Sequence, residues 1–269
     1  MKSSSRVLLA VVLSGALALT AACSGSDKAD KTDKGGAANS SAGPAGTGDA
    51  RADLTNAFNK LAGVPATYST SSAAGGNAGT KLTGSTDPAK KSSTAKMTVT
   101  AAEQQVNADV IIVGTDVYVK VSKEIPNVDA KKWMRVDSAK TSLAKLGLGN
   151  PGDPANIKGF ADAIVTAERT GAGAYKGTFD LTKRPSPATT TDMIQKMGDA
   201  AKTVPFEATI SPDGYLASLS FETAAVGRQV PPTTSKTTFS DFGKAVKISK
   251  PAASEIQPTN AAFLAQFAA

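Results

Sequence analysis

The chain has 269 residues, of which 30 are basic and 23 acidic, and its formal net charge at pH 7 is +7. It contains no histidine and one cysteine, Cys23, which excludes His-based catalytic triads and nearly all zinc sites with nitrogen or sulfur ligands. The basic residues are scattered and the chain has a single Trp, so the sequence predicts no nucleic-acid partner, no metal and no other cofactor.

The N-terminus has the features of an export signal. Lys2 and Arg6 precede an uncharged stretch, residues 7–22, that is shorter than the roughly 20 apolar residues a membrane span needs. Small residues then lead into Cys23, and the sequence LTAAC at Leu19–Cys23 resembles a bacterial lipobox. The resemblance implies cleavage before Cys23 and a diacylglycerol on its sulfur. The alternative is an ordinary signal peptide with a chance cysteine.

The segment after Cys23 has a different composition from the rest of the chain. Residues 24–50 contain no aromatic side chain, and alanine supplies their only aliphatic side chains. Such a segment cannot bury enough apolar surface to offset its ordering entropy. The sequence therefore predicts a signal peptide at 1–22, a lipidated flexible tether at 23–50, a folded domain at 51–257 and a C-terminal tail at 258–269.

The domain begins with a predicted helix, followed by strands. Leu54, Phe58 and Leu61 recur at helical spacing after a candidate N-cap at Asp49 or Asp53, and Gly63 ends the helix. Short polar connections separate the next segments, which predicts antiparallel hairpins. The predicted strands lie within 66–76, 79–88, 92–101, 104–114, 115–122 and 131–137.

Helical patterns dominate the middle of the chain, and strands return after it. Three helices are predicted within 137–151, 153–171 and 186–204, the second continuing past Ile164 to Gly171, with a strand at 174–182 between the last two. Further strands are predicted at 205–210, 215–222, 236–243 and 244–249, and the tail is ambiguous between a short helix and a frayed end. About ten mostly antiparallel strands predict an α+β fold, a large curved antiparallel sheet packed over several helices.

Taken in order, these segments resemble a known family. Lipobox, tether, helix, the hairpins around GTDVYVKVS and KKWMRVD, the helical insert, PFEATISPDGYLASLSFE and finally TTFSDFGKAVKISKP are similar to the actinobacterial LppX/LprA/LprF/LprG lipoproteins. That group shares the fold of the LolA and LolB lipoprotein carriers. The resemblance implies an open half-barrel over helices, with an apolar cavity for the acyl chains of lipids, lipoglycans or acylated proteins.

Apolar side chains on both layers are candidates for the walls of such a cavity, although the same periodicity is expected of a filled core. The candidates on strands are Val110, Ile112, Phe179, Phe206, Ile210, Leu219 and Phe221. The candidates on the helical side are Leu143, Leu146, Phe160, Ile164, Ile194 and Met197.

The predicted function is that of an exported, non-enzymatic lipoprotein that binds or carries lipids. It would be a monomer, anchored to the extracytoplasmic face of the cell membrane through Cys23. Two alternatives stay open. One is an envelope sensor or protein-binding module with the same fold, and the other is a hydrolase that uses a pair of carboxylates. Ser142 and Lys145 form a Ser-x-x-Lys match, but the companion motifs of penicillin-binding proteins are missing, so chance explains it better.

Overall fold

The computed structural model describes residues 49–74, 78–101, 104–122, 127–137, 157–183, 194–223 and 232–259. Cys23 and the predicted tether up to residue 48 lie outside the described residues. So do residues 138–151 of the first predicted middle helix, with Leu143 and Leu146.

Twelve strands of the described residues form one open sheet. All neighbouring strands in it are antiparallel except β6 and β12, which are parallel. Its order is β12-β6-β5-β4-β3-β2-β1-β11-β10-β9-β8-β7. The strands are β1 (Ala66–Ala73), β2 (Gly79–Asp87), β3 (Ser92–Ala101), β4 (Gln104–Val113), β5 (Asp116–Val121), β6 (Trp133–Asp137), β7 (Ile164–Gly171), β8 (Ala174–Phe179), β9 (Val204–Ile210), β10 (Leu216–Thr223), β11 (Thr233–Ser240) and β12 (Ile256–Pro258).

Helix α1 (Ala50–Ala62) forms where its periodicity predicts it. The Asp49 carboxylate accepts a hydrogen bond from the backbone N–H of Arg51 at 2.9 Å, which caps the N-terminus. One face buries Leu54, Ala57, Phe58 and Leu61 against the sheet. Together with the shorter α2 (Ile157–Ala163), this helix covers one half of the sheet, and the prediction of an α+β fold with a large antiparallel sheet is confirmed.

The predicted helix at 153–171 is wrong from Ile164 onward. Helix α2 ends at Ala163, and the next residue, Ile164, begins β7. Ile164, expected on the helical side of a cavity, is therefore a strand residue. The sequence from Ile164 contains β-branched side chains that suit a strand. Pairing with β8 gives the backbone N–H and C=O groups the hydrogen bonds that a continued helix would have formed.

Three further predictions differ from the structure. Residues 244–249 form no strand, because β11 ends at Ser240 and positive φ angles at Asp241 and Gly243 turn the chain out of the direction of that strand. The predicted strand at 174–182 ends at Phe179, and Leu181–Lys183 is a 3-10 helix. In the described part of the third predicted helix, residues 194–197 are helical and Gly198–Lys202 is a 3-10 helix.

Cross-strand register assigns the side chains to two faces. Tyr175, Phe179 and Phe206 lie on the face that α1 and α2 cover, which we call the inner face. Following the paired residues from strand to strand carries this face across the whole sheet to Met134 and Val136 on β6. The opposite face is called the outer face.

Candidate functional site

The structure divides the predicted cavity residues between two apolar clusters on the inner side of the sheet. The first cluster lies under the helices and includes Phe160, Ile164, Phe179, Ile194, Met197, Phe206 and Leu219, with Ile210 and Phe221 packed partly buried against it. The second cluster lies on β4, β5 and β6, towards the opposite edge strand of the sheet, and includes Val110 and Ile112. That any of these side chains contacts a ligand stays a prediction.

Aromatic rings fill the first cluster. Phe179 stacks on Phe206 with ring centroids 4.0 Å apart, and Phe58 of α1 meets Phe179 edge-on at 6.5 Å. Phe160 of α2 contacts Phe179 at 5.2 Å and Phe221 at 5.6 Å. The ring of Phe206 also lies over Gly177, where a Cβ atom would come within 2.9 Å of it. This half of the inner face is thus a packed core that joins the helices to the sheet.

The second cluster is a purely apolar surface on three neighbouring strands. Directly paired residues share a face, and all nine inner positions from Val106 on β4 to Val136 on β6 are apolar. The buried members of the cluster are Val110, Ile112, Val117, Val119, Met134 and Val136, and Ala108 is buried beside them. Among the described residues, α1 and α2 pack on the first cluster and not on this one.

Sequence reasoning selected Val110 and Ile112 but missed the other four buried members of the second cluster. The signal was present in β5, where apolar residues occupy every second position, at Val117, Val119 and Val121. On its own, this alternation predicts a strand and not what its apolar side contacts. That β6 presents Met134 and Val136 to the same surface follows only from the register.

Small hydroxyl side chains separate the two clusters. We call this group the hydroxyl strip; its members are Thr70, Ser72, Thr80, Ser235 and Thr237. Thr70 and Thr237 are joined across the strands at 2.9 Å, and Ser72 and Ser235 at 3.1 Å. The middle of the inner face is therefore polar but uncharged, with apolar surfaces on both sides.

Two further hydroxyl groups lie on the inner face near this strip. The Tyr68 hydroxyl donates to the backbone oxygen of Thr94 at 3.1 Å, and burial raises the pKa of Tyr68 to about 12. Its ring lies on Gly84, where any Cβ atom would clash with the ring and with the Thr94 carbonyl. In the described part of the structure, the buried Oγ1 atom of Thr86 has no hydrogen-bond partner.

The first turn of α1 is tied to the edge of the sheet by charge. The Asp53 carboxylate accepts hydrogen bonds from the Arg169 guanidinium and, at 3.2 Å, from the Tyr175 hydroxyl. The Arg169 guanidinium also lies over the Tyr175 ring, 5.5 Å from its centroid. These contacts join α1 to β7 and β8 and hold the helix over the first cluster.

A groove of about 600 Å³ crosses the outer face over β7–β11. Its polar lining includes Glu168, Lys176, Glu207 and Glu222, with the Lys176 ammonium 2.6 Å from the Glu168 carboxylate. Phe206 and Phe221 are the predicted cavity residues that also line it. Sequence reasoning did not anticipate this groove, since outward-facing polar residues on strands are expected at any solvated sheet surface.

A network of ion pairs occupies the outer face of β5 and β6. Hydrogen bonds from Lys250 and then from Arg135 lower the pKa of the Asp116 carboxyl, and the Arg135 Nη2 atom lies 2.7 Å from its Oδ1 atom. The Lys120 ammonium lies over the Trp133 ring, 4.5 Å from its centroid. The two faces of the same strands are thus sharply different, apolar inside and charged outside.

A comparison with solved structures finds similarity to the crystal structure of a LolA superfamily protein from Nitrosomonas europaea. The sequences are 14% identical, the match covers 76% of this chain and 99% of that chain, and the TM-score is 0.29. No protein-family model matches the chain, and no curated protein matches it. The resemblance to the actinobacterial lipoprotein group specifically therefore stays a prediction.

The described residues contain neither a membrane-spanning helix nor a metal site. None of the helices in the described ranges is both long enough and apolar enough to cross a membrane. Within the same ranges, no group of three or more His, Cys, Asp or Glu side chains is placed to hold a metal ion.

Proposed function

We propose that this protein is an exported lipoprotein that binds or carries lipids or other acylated molecules without catalysing a reaction. It would be anchored through lipidated Cys23 to the extracytoplasmic face of the cell membrane, as the resemblance to the LppX/LprA/LprF/LprG group implies. The observation that carries the proposal is the second cluster together with its neighbours on the same strands, nine apolar inner-face side chains on β4, β5 and β6 that lie apart from α1 and α2.

An acyl chain suits this surface for energetic reasons. Each buried methylene contributes about 0.8 kcal/mol, so several carbons held against Val110, Ile112 and Val119 would offset the cost of leaving a bilayer. No polar group occurs among the nine inner positions from Val106 to Val136, so a chain lying there leaves no hydrogen bond unsatisfied. The hydroxyl strip, which lies across β3 from the cluster on the same inner face, offers partners to the polar part of the same molecule.

The test is the identification of bound ligand. Residues 24–269, which contain no cysteine to acylate, are expressed behind a cleavable export signal in an actinobacterial host and purified without detergent. Organic extraction and mass spectrometry should recover an acylated molecule in near-stoichiometric amount. Replacing Ile112, which points into the second cluster, by Trp should abolish that recovery because the larger ring fills the acyl position.

The adjacent residue supplies the matched control. Ile111 lies on the same strand and points to the outer face, so Ile111→Trp should retain the ligand. Circular dichroism and thermal unfolding establish that both variants fold, and Val110→Phe serves as the milder inner-face change. A folded wild-type protein that carries no lipid and takes up no labelled acyl chain would contradict the proposal and favour the sensor or protein-binding module.

A further inference from the structure

The strand register brings five lysines to one end of the sheet. The ends of β2, β3, β4 and β5 meet there, because Asp87 pairs with Ser92, Ser92 with Val113, and Val113 with Asp116. The turn from β2 to β3 and the segment after β11 carry the lysines. We call this row the lysine edge; it consists of Lys90, Lys91, Lys244, Lys247 and Lys250.

Hydrogen bonds fix the segment after β11 along this edge. The N–H of Gly243 donates to the Pro65 carbonyl at 2.8 Å, just before β1 begins. Further along, the Lys250 ammonium binds the Asp116 carboxylate at the start of β5. Val246 and Ile248 are half-buried between these points, whereas Lys244, Lys247 and Lys250 are exposed. The segment therefore spans the strand ends from β1 to β5.

The charges of the edge are arranged with the cations outward. The Lys90 side chain is 69% exposed whereas its partner Asp87 is 5% exposed, and the corresponding values for Lys250 and Asp116 are 52% and 17%. Among the described residues, no ion pair is recorded for the exposed Lys91.

The rest of the row follows the same arrangement. Lys244 is 74% exposed and its partner Asp241 is 43% exposed, and no ion pair of the exposed Lys247 is recorded among the described residues. Asp213, which is exposed in the turn between β9 and β10, and Asp137, the last residue of β6, lie at the same end of the sheet outside the row. Within the row, a flat partner therefore meets ammonium groups before it meets the carboxylates of Asp87, Asp116 and Asp241.

We propose that the lysine edge docks on the anionic headgroups of a lipid bilayer. The inference rests on the proposed function, because lipid anchoring through Cys23 is what brings a membrane within reach. Its own evidence is the complementarity between the lysine ammonium groups and anionic lipid headgroups. Near an anionic membrane surface each lysine strengthens attraction by about fivefold. Docking on this edge would place Ile112 and Val117, the inner-face residues nearest to it on β4 and β5, next to the bilayer. Acyl chains could then pass from the bilayer to the second cluster.

The opposite end of the sheet provides a matched comparison. Lys131 and Lys132 are exposed just before β6 begins, at the end of the sheet away from the Asp116–Asp137 pair. The full chain is reconstituted into vesicles of phosphatidylcholine, with or without phosphatidylglycerol, and labelled with an amine-reactive reagent. Mass spectrometry should show labelling of Lys91 and Lys247 reduced about fivefold or more by the anionic lipid, with Lys131 and Lys132 unaffected.

Charge-reversed variants test whether these lysines cause the protection. In Lys91→Glu/Lys247→Glu the protection of Lys90 and Lys244 should disappear, whereas Lys131→Glu/Lys132→Glu should keep it. About 1 M salt, at which the Debye length is about 3 Å, should also abolish it. Equal labelling in both vesicle types, or equal protection at both ends of the sheet, would overturn the docking proposal. Bound ligand measured on the same samples reports separately on the proposed function.

Discussion

At the scale of single residues, the ionisation of Tyr68 depends on its burial in the sheet. It is 6% exposed, its ring lies on Gly84, and its hydroxyl group donates to the Thr94 carbonyl. A buried phenol keeps its proton to higher pH than a phenol in water because the phenolate loses its hydration. The state of this one hydroxyl group is therefore linked to folding.

We expect Tyr68 to make folding sensitive to alkaline pH. Its pKa is about 12 in the folded protein against an ordinary value of 10.0, so the unfolded chain ionises first as the pH rises. Its contribution is complete below pH 10 and is lost between about pH 10 and pH 12, at a cost of about 2–3 kcal/mol. Urea unfolding at several pH values measures this loss.

Tyr68→Phe separates this effect from the ionisation of lysines in the same range. The variant should lose about 1 kcal/mol at pH 7, where the hydrogen bond to Thr94 is missing. Between pH 10 and pH 12 its stability should fall less steeply than that of the wild type. Parallel curves for the two proteins would show that Tyr68 is not buried as described.

At the scale of elements, contacts between the first turn of α1 and the sheet hold this helix over the first cluster. Asp53 joins the first turn of the helix to Arg169 on β7 and Tyr175 on β8. We expect Asp53→Asn to lower the free energy of unfolding by about 1–2 kcal/mol, since a carboxylate with two donors becomes a weaker, neutral acceptor. Urea unfolding of the full chain at pH 7 measures the change.

The control for Asp53 is another carboxylate in an ion pair. Asp199 pairs with Lys202 at 2.8 Å, but its side chain is 95% exposed, so water screens the interaction. Asp199→Asn should leave the free energy of unfolding close to that of the wild type. Equal losses in the two variants would mean that the contact with Arg169 and Tyr175 does not hold the helix.

The elements also show where sequence reasoning succeeds. Clean alternation in residues 117–121 and the Pro-Asp-Gly turn at 212–214 are local signals, and both hairpins form as predicted. The change from α2 to β7 at Ile164 has no Gly or Pro to mark it, and pairing with β8 decides it. Residues 244–249 also carry apolar residues at every second position, Val246 and Ile248, but pair with no strand of the described residues. Where a local pattern fits two structures equally well, pairing with a strand distant in sequence decides which one forms.

At the scale of the whole molecule, the two clusters give the sheet two unequal halves. α1 and α2 cover the half built from β7–β11, and the hydroxyl strip separates it from β4–β6. Apolar periodicity predicted that Val110 and Phe206 are both buried. It could not assign them to different halves, because that assignment depends on the order of twelve strands and on where the helices pack.

This division predicts where a bound lipid stabilises the protein. Removing the ligand should increase amide hydrogen exchange in β4, β5 and β6, whose inner face loses its apolar contact, while β8, β9 and β10 stay protected beneath the helices. Exchange is measured by mass spectrometry on the same sample before and after delipidation. Ile112→Trp should behave in the opposite way, with the same exchange in both conditions because its own ring occupies the site. An equal rise across all strands would mean that the ligand stabilises the sheet as one unit, and that the second cluster is not where it binds.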